Sequence, residues 1–218
     1  MFRIITTSDG SHTIFVPEIN EHYHSIHGAI QESDYIFIRN GFDFCLTDPL
    51  NIFEVGFGTG LNALLTAMRS INGKKEVFYT AIEKYPLPCE IINSLNYHLF
   101  TGEDGQKLFS LIHNAPWNKM TNICRNFSIC KMKGDLIADH IEGSFNLIYF
   151  DAFGPDKQPE MWSLKIFEKL SDITAENGML LTYSVKGDVK RTIKTCGFNI
   201  QLLPRPPGKR YILKAVKK

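Results

Sequence analysis

Residues 53–62 read Phe53-Glu54-Val55-Gly56-Phe57-Gly58-Thr59-Gly60-Leu61-Asn62. An apolar segment is followed there by three alternating glycines and then by the periodic apolar pattern of a helix, which runs from residue 62 to residue 68. Glycine lets the backbone turn sharply and approach a ligand, because no Cβ atom stands between them. The stretch therefore predicts a strand, a tight turn and a helix start that form a cofactor cradle at the end of the strand.

The glycine spacing and two acidic residues indicate which cofactor the cradle holds. A dinucleotide-binding turn usually reads GxGxxG, whereas this turn reads GxGxG with Glu54 two residues before it, which is typical of enzymes that bind S-adenosyl-L-methionine (SAM). The β-rich segment 77–82 ends in Glu83, which is placed to accept hydrogen bonds from both ribose hydroxyls of an adenosine cofactor. NAD binding, or a glycine turn without a ligand and a solvated Glu83, are the alternatives. The predicted cofactor residues at this point are Glu54, Gly56, Gly58, Thr59, Gly60, Asn62 and Glu83.

The rest of the 218 residues alternate between strand and helix patterns. This alternation predicts one α/β domain with a doubly wound, mostly parallel sheet of seven strands, a Rossmann-like fold with helices on both faces. The predicted strands cover residues 52–56, 77–82, 127–132, 145–150, 179–185, 198–203 and 211–216. The predicted helices cover residues 61–68, 86–97, 159–170 and 188–196, and residues 98–122 are expected to be an insertion or helical elaboration.

An N-terminal extension, residues 1–50, is expected to precede the sheet domain of residues 51–218. Two short strands, at residues 2–6 and 13–16, are predicted on either side of the turn signal Ser8-Asp9-Gly10-Ser11. A helical stretch is predicted from Glu18 to Glu32, which contains three histidines.

Composition excludes several classes of protein. The chain is 44% apolar and 22% charged, which is ordinary for a globular domain. It has no apolar stretch long enough to span a bilayer and no signal-peptide pattern at its start, so a cytoplasmic location is expected. Its five cysteines show neither CxxC spacing nor a histidine partner at zinc-site distance, so reduced thiols and no metal site are expected.

Charge is distributed unevenly along the chain. Residues 179–218 hold ten Lys and Arg but one acidic residue, a net charge of +9, whereas residues 1–178 carry a net charge of −8. A basic end on an acidic body predicts a polyanionic partner, since cationic side chains that neutralise phosphates release counterions. A solvated terminal hairpin is the alternative.

Two more acidic residues follow predicted strands at the edge where ligands bind in such sheets. Asp135, after the third strand of the sheet, could accept a hydrogen bond from an adenine amino group or cap a helix at residues 136–141. Asp151 opens the corner Asp151-Ala152-Phe153-Gly154-Pro155 after a continuously apolar strand. Asp151 is therefore the expected contact of the methyl acceptor, with Phe153 as an aromatic wall beside it.

These motifs resemble those of the MnmC-type tRNA wobble-uridine methyltransferase domain. Residues 151–162 are similar to its DxFxPxxxPxMW signature, residues 57–62 to its FGTGLN motif, residues 207–210 to its closing PG(x)KR element, and residues 21–32 to its entry segment. Ala152 and Gly154 depart from the commoner Gly and Ala, which puts the shape of the acceptor pocket in doubt. The larger family members carry a flavin-dependent oxidase domain; this chain ends at Lys218, and a stand-alone form without flavin is expected.

The resemblance implies methyl transfer from SAM to the amine of 5-aminomethyluridine, or its 2-thio form, at the wobble position of the tRNA anticodon. Asp151 would orient the amine and receive its proton, and Phe153 would stack on the uracil. The residues expected to contact anticodon phosphates are Lys186, Lys190, Arg191, Arg205, Lys209 and Arg210. The alternatives are methylation of a small amine or a protein, a non-catalytic RNA-binding protein of the same fold, and aminopropyl transfer.

Overall fold

The structure is a computed structural model, and it describes residues 2–71, 73–204 and 211–218. Eight strands of the described residues form the central sheet: β4 (Leu50–Val55), β5 (Val77–Glu83), β6 (Thr121–Cys124), β7 (Phe127–Lys133), β8 (Phe145–Phe150), β9 (Thr174–Thr182), β10 (Phe198–Pro204) and β11 (Tyr211–Lys217). Their order across the sheet is β10-β11-β9-β8-β4-β5-β7-β6. The five central strands β9, β8, β4, β5 and β7 are mutually parallel, and both edges are antiparallel.

Helices cover both faces of this sheet, which confirms the doubly wound α/β fold. The helices are α2 (Leu61–Ile71), α3 (Cys89–Asn93), α4 (His98–Asn114), α5 (Leu164–Ile173) and α6 (Gly187–Thr195). Because side chains alternate along a strand, Ile52 packs into a core with α2 and α4, and the next residue, Phe53, packs into a second core with α5 and α6. Strands buried on both faces need apolar residues at nearly every position, which is why β4 and β8 read as continuous apolar runs.

The structure differs from the predicted elements in several places. The sheet has one strand more than the predicted seven, because residues 121–124 pair with β7 at the edge of the sheet. The segment 98–122, expected to be an insertion or helical elaboration, contains the 17-residue helix α4, in which Gly102 has non-helical φ and ψ angles. The helix predicted over residues 159–170 is divided at Ser163, whose backbone is extended and separates a 3₁₀ turn from α5. Only residues 89–93 of the helix predicted over 86–97 are helical.

The N-terminal extension forms a second, three-stranded sheet of β1 (Arg3–Thr6), β2 (His12–Val16) and β3 (Glu21–His22), followed by a short helix α1 (Ala29–Ser33). The predicted hairpin is confirmed, but the helix predicted from Glu18 to Glu32 is wrong except at its end, where residues 29–32 belong to α1. The histidine-rich segment pairs with β2 instead, and the backbone amide of Tyr23 donates to the carbonyl of Ile14. This extended path carries Tyr23 and His24 to the carboxyl ends of the central strands.

Among the residues that the structure describes, no helix combines the length and the apolar character that crossing a membrane requires.

Candidate cofactor and acceptor site

A cavity of about 460 Å3 lies beyond the carboxyl ends of β4, β5, β7 and β8, where a sheet of this kind binds its ligands. The N-terminal extension forms another part of its wall, through residues 21–27 and Glu32. Eight of the residues predicted from the sequence line this one cavity: Gly56, Gly58, Thr59, Asn62, Glu83, Asp135, Asp151 and Phe153. The turn after β4 and the corner after β8 therefore face the same space.

The turn after β4 has the backbone geometry of a cradle. Gly58 has a φ angle of 49°, and a Cβ atom added there would lie 3.0 Å from ring atoms of Tyr23. Its backbone amide donates to Oε2 of Glu83 at 2.9 Å. A side chain at position 58 is therefore opposed both by the left-handed backbone and by the aromatic ring above it.

Glu83 is held in place by two backbone amides. Oε2 accepts from Gly58 and Oε1 accepts from the amide of Tyr85 at 2.8 Å. Each carboxylate oxygen has a second lone pair, so both can accept a further hydrogen bond from a ligand hydroxyl. A carboxylate fixed in this way fits the two ribose hydroxyls of an adenosine cofactor, as the sequence predicts.

Two of the predicted cofactor residues lie behind the cavity wall. Glu54 is fully buried and does not line the cavity. Gly60 is also off the wall, and a Cβ atom there would lie 2.8 Å from Nε2 of His113. The pattern of strand and turn predicts that they lie near the cradle, and direct contact with a cofactor at these two positions stays a prediction.

Asp151 stands at the end of β8, and its corner is held by hydrogen bonds from two aromatic side chains. The Tyr183 hydroxyl donates to the carbonyl of Ala152, and Nε1 of Trp162 donates to the carbonyl of Phe153, each at 2.8 Å. The backbone amide of Asp151 donates to the carbonyl of Val55 at 3.0 Å. This bonding keeps the Asp151 side chain on the cavity wall beside the glycine turn.

An aromatic pair borders the Asp151 side of the cavity. The rings of Tyr23 and Phe153 meet edge to face, with centroids 5.0 Å apart and an interplanar angle of 72°. Tyr23 comes from the N-terminal extension and Phe153 from the corner after β8, so the two parts of the chain meet here. A planar, unsaturated ligand group would find aromatic surface on this side.

Asp135 lies on the cavity wall in a local ion pair. Its Oδ2 is 2.8 Å from Nζ of Lys84, and its Oδ1 accepts from the amide of Ile137 at 2.9 Å. The hydrogen bond from Lys84 holds the pKa of Asp135 below its usual value. No helix forms at residues 136–141, so the predicted helix cap is wrong, and Asp135 stabilises a turn instead.

Two histidines that the sequence did not single out, the buried His24 and the half-buried His113, contact Thr59 in the glycine turn. Nε2 of His24 lies 2.8 Å from the Thr59 hydroxyl, and Nε2 of His113 donates to the Thr59 carbonyl at 3.1 Å. Burial lowers the pKa of each imidazole to about 4, so both rings are neutral at pH 7. The signal available in the sequence was the histidine-rich segment 22–27, but no local pattern shows which of its histidines reaches the turn.

The predicted RNA contacts lie outside the cavity. Lys186 and Arg191 are exposed and pair with Asp156 and Asp188 respectively. Lys190 is half-buried on α6. Three further predicted contacts, Arg205, Lys209 and Arg210, lie outside the described residues, as does the motif at 207–210. In the described part of the chain, no cluster of His, Cys, Asp and Glu is arranged to hold a metal ion.

Comparison with known proteins agrees with this geometry. Residues 120–218 match the family described as S-adenosyl-L-methionine-dependent methyltransferase. The tRNA 5-methylaminomethyl-2-thiouridine biosynthesis bifunctional protein MnmC of Burkholderia thailandensis is 28% identical over 226 residues, which cover 96% of this chain and 34% of the relative. The chain thus spans about a third of the length of the curated relatives it matches.

Solved structures show the same relationship. The crystal structure of MNMC2 from Aquifex aeolicus matches with a TM-score of 0.81 and 26% identity, covering 100% of this chain and 70% of that one. Spermidine synthase from Thermotoga maritima matches with a TM-score of 0.61 and 14% identity, over 99% of this chain and 73% of that one, which shows a shared fold alone.

The cofactor indicated by the glycine turn is therefore confirmed as S-adenosyl-L-methionine, and the residues present fit it. An open glycine backbone, a carboxylate with free lone pairs at the ribose position and a cavity of about 460 Å3 are what an adenosine cofactor requires. In sequence and fold this chain is similar to S-adenosyl-L-methionine-dependent methyltransferases and to MnmC proteins.

Proposed function

We propose that this chain transfers the methyl group of SAM to the amine of 5-aminomethyluridine, or its 2-thio form, at the wobble position of tRNA. The observation that carries the proposal is that one cavity holds both the SAM cradle at Gly58 and Glu83 and a carboxylate, Asp151, beside an aromatic pair. The similarity to MnmC proteins, whose name gives a thiouridine of tRNA as the product, supports this choice of acceptor.

Asp151 has the chemistry that an amine acceptor needs. Bound SAM supplies an electrophilic methyl group on a sulfonium centre. An alkylammonium ion has no lone pair, so its nitrogen must lose a proton before it can form the new carbon–nitrogen bond. Asp151 accepts a hydrogen bond from the N–H group of the amine and so orients the nitrogen lone pair towards the cradle. It then takes up the proton that the amine releases.

The aromatic pair has the chemistry to hold the base. Phe153 follows Asp151 by two residues, so a uracil stacked on its ring presents a substituent on its edge to the carboxylate. Tyr23 packs against Phe153 and keeps that ring in place. Proteins that recognise unpaired RNA bases commonly splay them out onto aromatic side chains, and a wobble nucleotide is such an unpaired base.

The sites of contact with the rest of the tRNA remain those expected from the sequence. Lys186 pairs with Asp156, which directly follows the corner at residues 151–155. The basic C-terminal residues, including Arg205, Lys209 and Arg210 outside the described part, would contact the anticodon phosphates. With tRNA as its substrate, the protein would act in the cytoplasm.

The proposal also assigns roles to single residues and to the two parts of the chain. Gly56, Gly58, Thr59 and Glu83 would hold SAM, with Asp135 at the adenine end of the cavity, while Asp151 and Phe153 act on the acceptor. Residues 51–218 would form the methyltransferase domain, and residues 1–50 an extension that completes its wall.

The test is methyl transfer to defined tRNA. The protein is incubated with SAM labelled in its methyl group and tRNA that carries aminomethyluridine, and wobble nucleosides are identified by mass spectrometry. Unmodified transcript of the same tRNA is the matched control and should accept no label. Transfer only to a free amine or to protein would contradict the proposed acceptor, and transfer of an aminopropyl group from decarboxylated SAM would contradict the reaction.

A further inference from the structure

The side-chain amide of Asn62 lies between two carboxyl groups. Its Nδ2 atom donates to Oε1 of Glu54 at 2.9 Å and to Oδ2 of Asp151 at 2.8 Å. Both hydrogens of the amide are used in this way, while its carbonyl oxygen Oδ1 is buried and has no hydrogen-bond partner among the described residues. The opposite amide orientation would place that oxygen against the Asp151 carboxylate, so the nitrogen must face the two carboxyl groups.

Glu54 lies behind Asn62 and away from solvent. It is fully buried and does not line the cavity, and its Oε2 atom accepts no hydrogen bond of ordinary geometry from the described residues. Burial is the main cause that raises the pKa of Glu54 well above its usual value, and the nearby Asp151 charge raises it further. Burial therefore favours the uncharged form of the Glu54 carboxyl group, whose Oε1 atom accepts from Asn62.

Asp151 thus accepts a hydrogen bond from Asn62, and the amide of Asn62 is fixed in turn by its hydrogen bond to Glu54. We propose that Asn62 is a positioning residue for Asp151, and that Glu54 acts only by fixing the orientation of the Asn62 amide. This inference rests on the proposed role of Asp151 in methyl transfer. It assigns to Asn62 and Glu54 a role towards the acceptor, whereas the sequence pattern pointed to the cofactor.

The arrangement has a measurable electrostatic consequence. A hydrogen bond to the charged form of a carboxyl group lowers the pKa of that group, so loss of the Asn62 amide should raise the pKa of Asp151. Glu54→Gln keeps an uncharged oxygen acceptor at the same place, so it should leave Asp151 unchanged. Glu54→Leu removes the acceptor and frees the Asn62 amide to turn away.

The titration of Asp151 can be followed directly, without any acceptor, by 13C NMR of its side-chain carboxyl carbon, assigned with Asp151→Asn. We expect the midpoint to rise by about one pH unit in Asn62→Ala and by a smaller amount in Glu54→Leu, and to stay within about 0.3 units of wild type in Glu54→Gln. Glu54→Leu made in the Asn62→Ala background should cause no further rise, because Glu54 acts through Asn62.

Asn146→Ala is the matched control. Asn146 lies at the start of β8, at the opposite end of the sheet, where its side chain accepts from the amide of Asn51 at 3.0 Å. The Asn146→Ala variant removes a partly buried asparagine of the same sheet that does not line the cavity, so the midpoint of the Asp151 titration should not move. If Asn62→Ala does not fold, Asn62→Ser, which is too short to reach both carboxyl groups, takes its place.

Kinetics separate positioning from structure. If Asn62 positions Asp151, the acid limb of the pH profile of kcat moves to higher pH in Asn62→Ala while the affinity for SAM changes less than threefold. An unmoved Asp151 midpoint in Asn62→Ala, or a Glu54→Gln variant that behaves like Glu54→Leu, overturns the inference. Failure of the wild-type protein to methylate tRNA would contradict the proposed function. The NMR titration needs no acceptor, so it would still decide whether Asn62 positions Asp151.

Discussion

Nε2 of His24 lies 2.8 Å from the hydroxyl of Thr59, so a residue of the N-terminal extension is hydrogen bonded to the glycine turn after β4. The backbone of His24 is tied in turn to Thr13 of β2, with which it exchanges two hydrogen bonds. Tyr23, the preceding residue, packs over Gly58 and against Phe153. The extension therefore supports the SAM cradle and the acceptor wall at once.

Loss of the His24 side chain should weaken SAM binding. His24→Ala leaves the Thr59 hydroxyl buried without this partner, and removing one partner of a buried hydrogen bond costs about 1–3 kcal/mol. If part of this free energy is lost from SAM binding, the Kd for SAM should rise by about fivefold or more, and calorimetric titration would measure this change. His12→Ala is the control, since His12 lies in the same small sheet but contacts Ser94 rather than the turn. Equal loss in both variants would mean that the extension acts only through general stability.

The two neutral histidines predict that stability depends on pH. Their pKa in the folded protein is about 4, below the unfolded value near 6.5, so their contribution is complete above pH 6.5 and is lost as pH falls towards 4. The maximum loss is about 1.4 kcal/mol per pH unit for each histidine. Thermal unfolding between pH 7.5 and 5 should show a falling Tm.

The comparison with His24→Gln isolates this effect. Glu54 acts in the opposite direction, because its raised pKa makes the folded protein bind a proton more readily than the unfolded chain does. The wild type should therefore lose more stability on acidification than His24→Gln, which cannot be protonated at position 24. Parallel Tm curves for the two proteins would contradict the assignment of a neutral, buried His24.

A side chain at position 58 should block the cradle. In Gly58→Ala the new Cβ atom lies 3.0 Å from the Tyr23 ring, and the φ angle of 49° disfavours any residue but glycine. We expect the Kd for SAM to rise more than tenfold. Gly102→Ala is a matched control, because Gly102 has a similar positive φ of 67° but open space around its Cβ position. SAM binding by Gly58→Ala at the wild-type Kd would refute the cradle.

The sheet and the edge that carries the site could be predicted because their signals are local. Apolar runs followed by glycine or aspartate mark β4 and β8, and the carboxyl ends of parallel strands always meet at one edge. The contribution of Tyr23 and His24 could not be predicted in the same way. Their segment has a helical composition, but its conformation is decided by its pairing with β2 rather than by local propensity.

The positions of Glu54 and Gly60 behind the cavity wall could not be predicted for a similar physical reason. Motif spacing shows that a residue is near a turn, but it does not show on which side of the turn the side chain lies. Glu54 points towards Asn62 at the start of α2, and Gly60 packs against His113 of α4, so both depend on helices that the motif does not describe. Asp151 and Glu83 were easier to place, since each is at or beside the last residue of its strand.

Affinity for tRNA should fall with salt concentration. If about five phosphates are contacted, log affinity should decrease against log salt with a slope of roughly −3 to −4, using about 0.7 per contact for unpaired elements. The double variant Lys209→Ala, Arg210→Ala should have a shallower slope by about 1.4. Lys74→Ala, which changes an exposed lysine between α2 and β5, should have the wild-type slope. A slope near zero for the wild type would favour a small-molecule acceptor.

Asp151→Asn should slow catalysis strongly and spare cofactor binding. Asparagine keeps the size of the side chain, and its oxygen can still accept from the Asn62 amide, so the corner held by Tyr183 and Trp162 stays intact. It cannot take up the proton that the amine must lose, and loss of such acid–base assistance costs about 10²-fold or more in rate. Single-turnover methylation of tRNA bearing aminomethyluridine should slow by that factor, while the Kd for SAM, held at Gly58 and Glu83, changes little.

Asp172→Asn, the same change at an exposed position on α5, is the control for the loss of one negative charge. A wild-type rate in Asp151→Asn, or joint loss of SAM binding and activity, would mean that Asp151 holds the cofactor or the corner and that another group receives the proton.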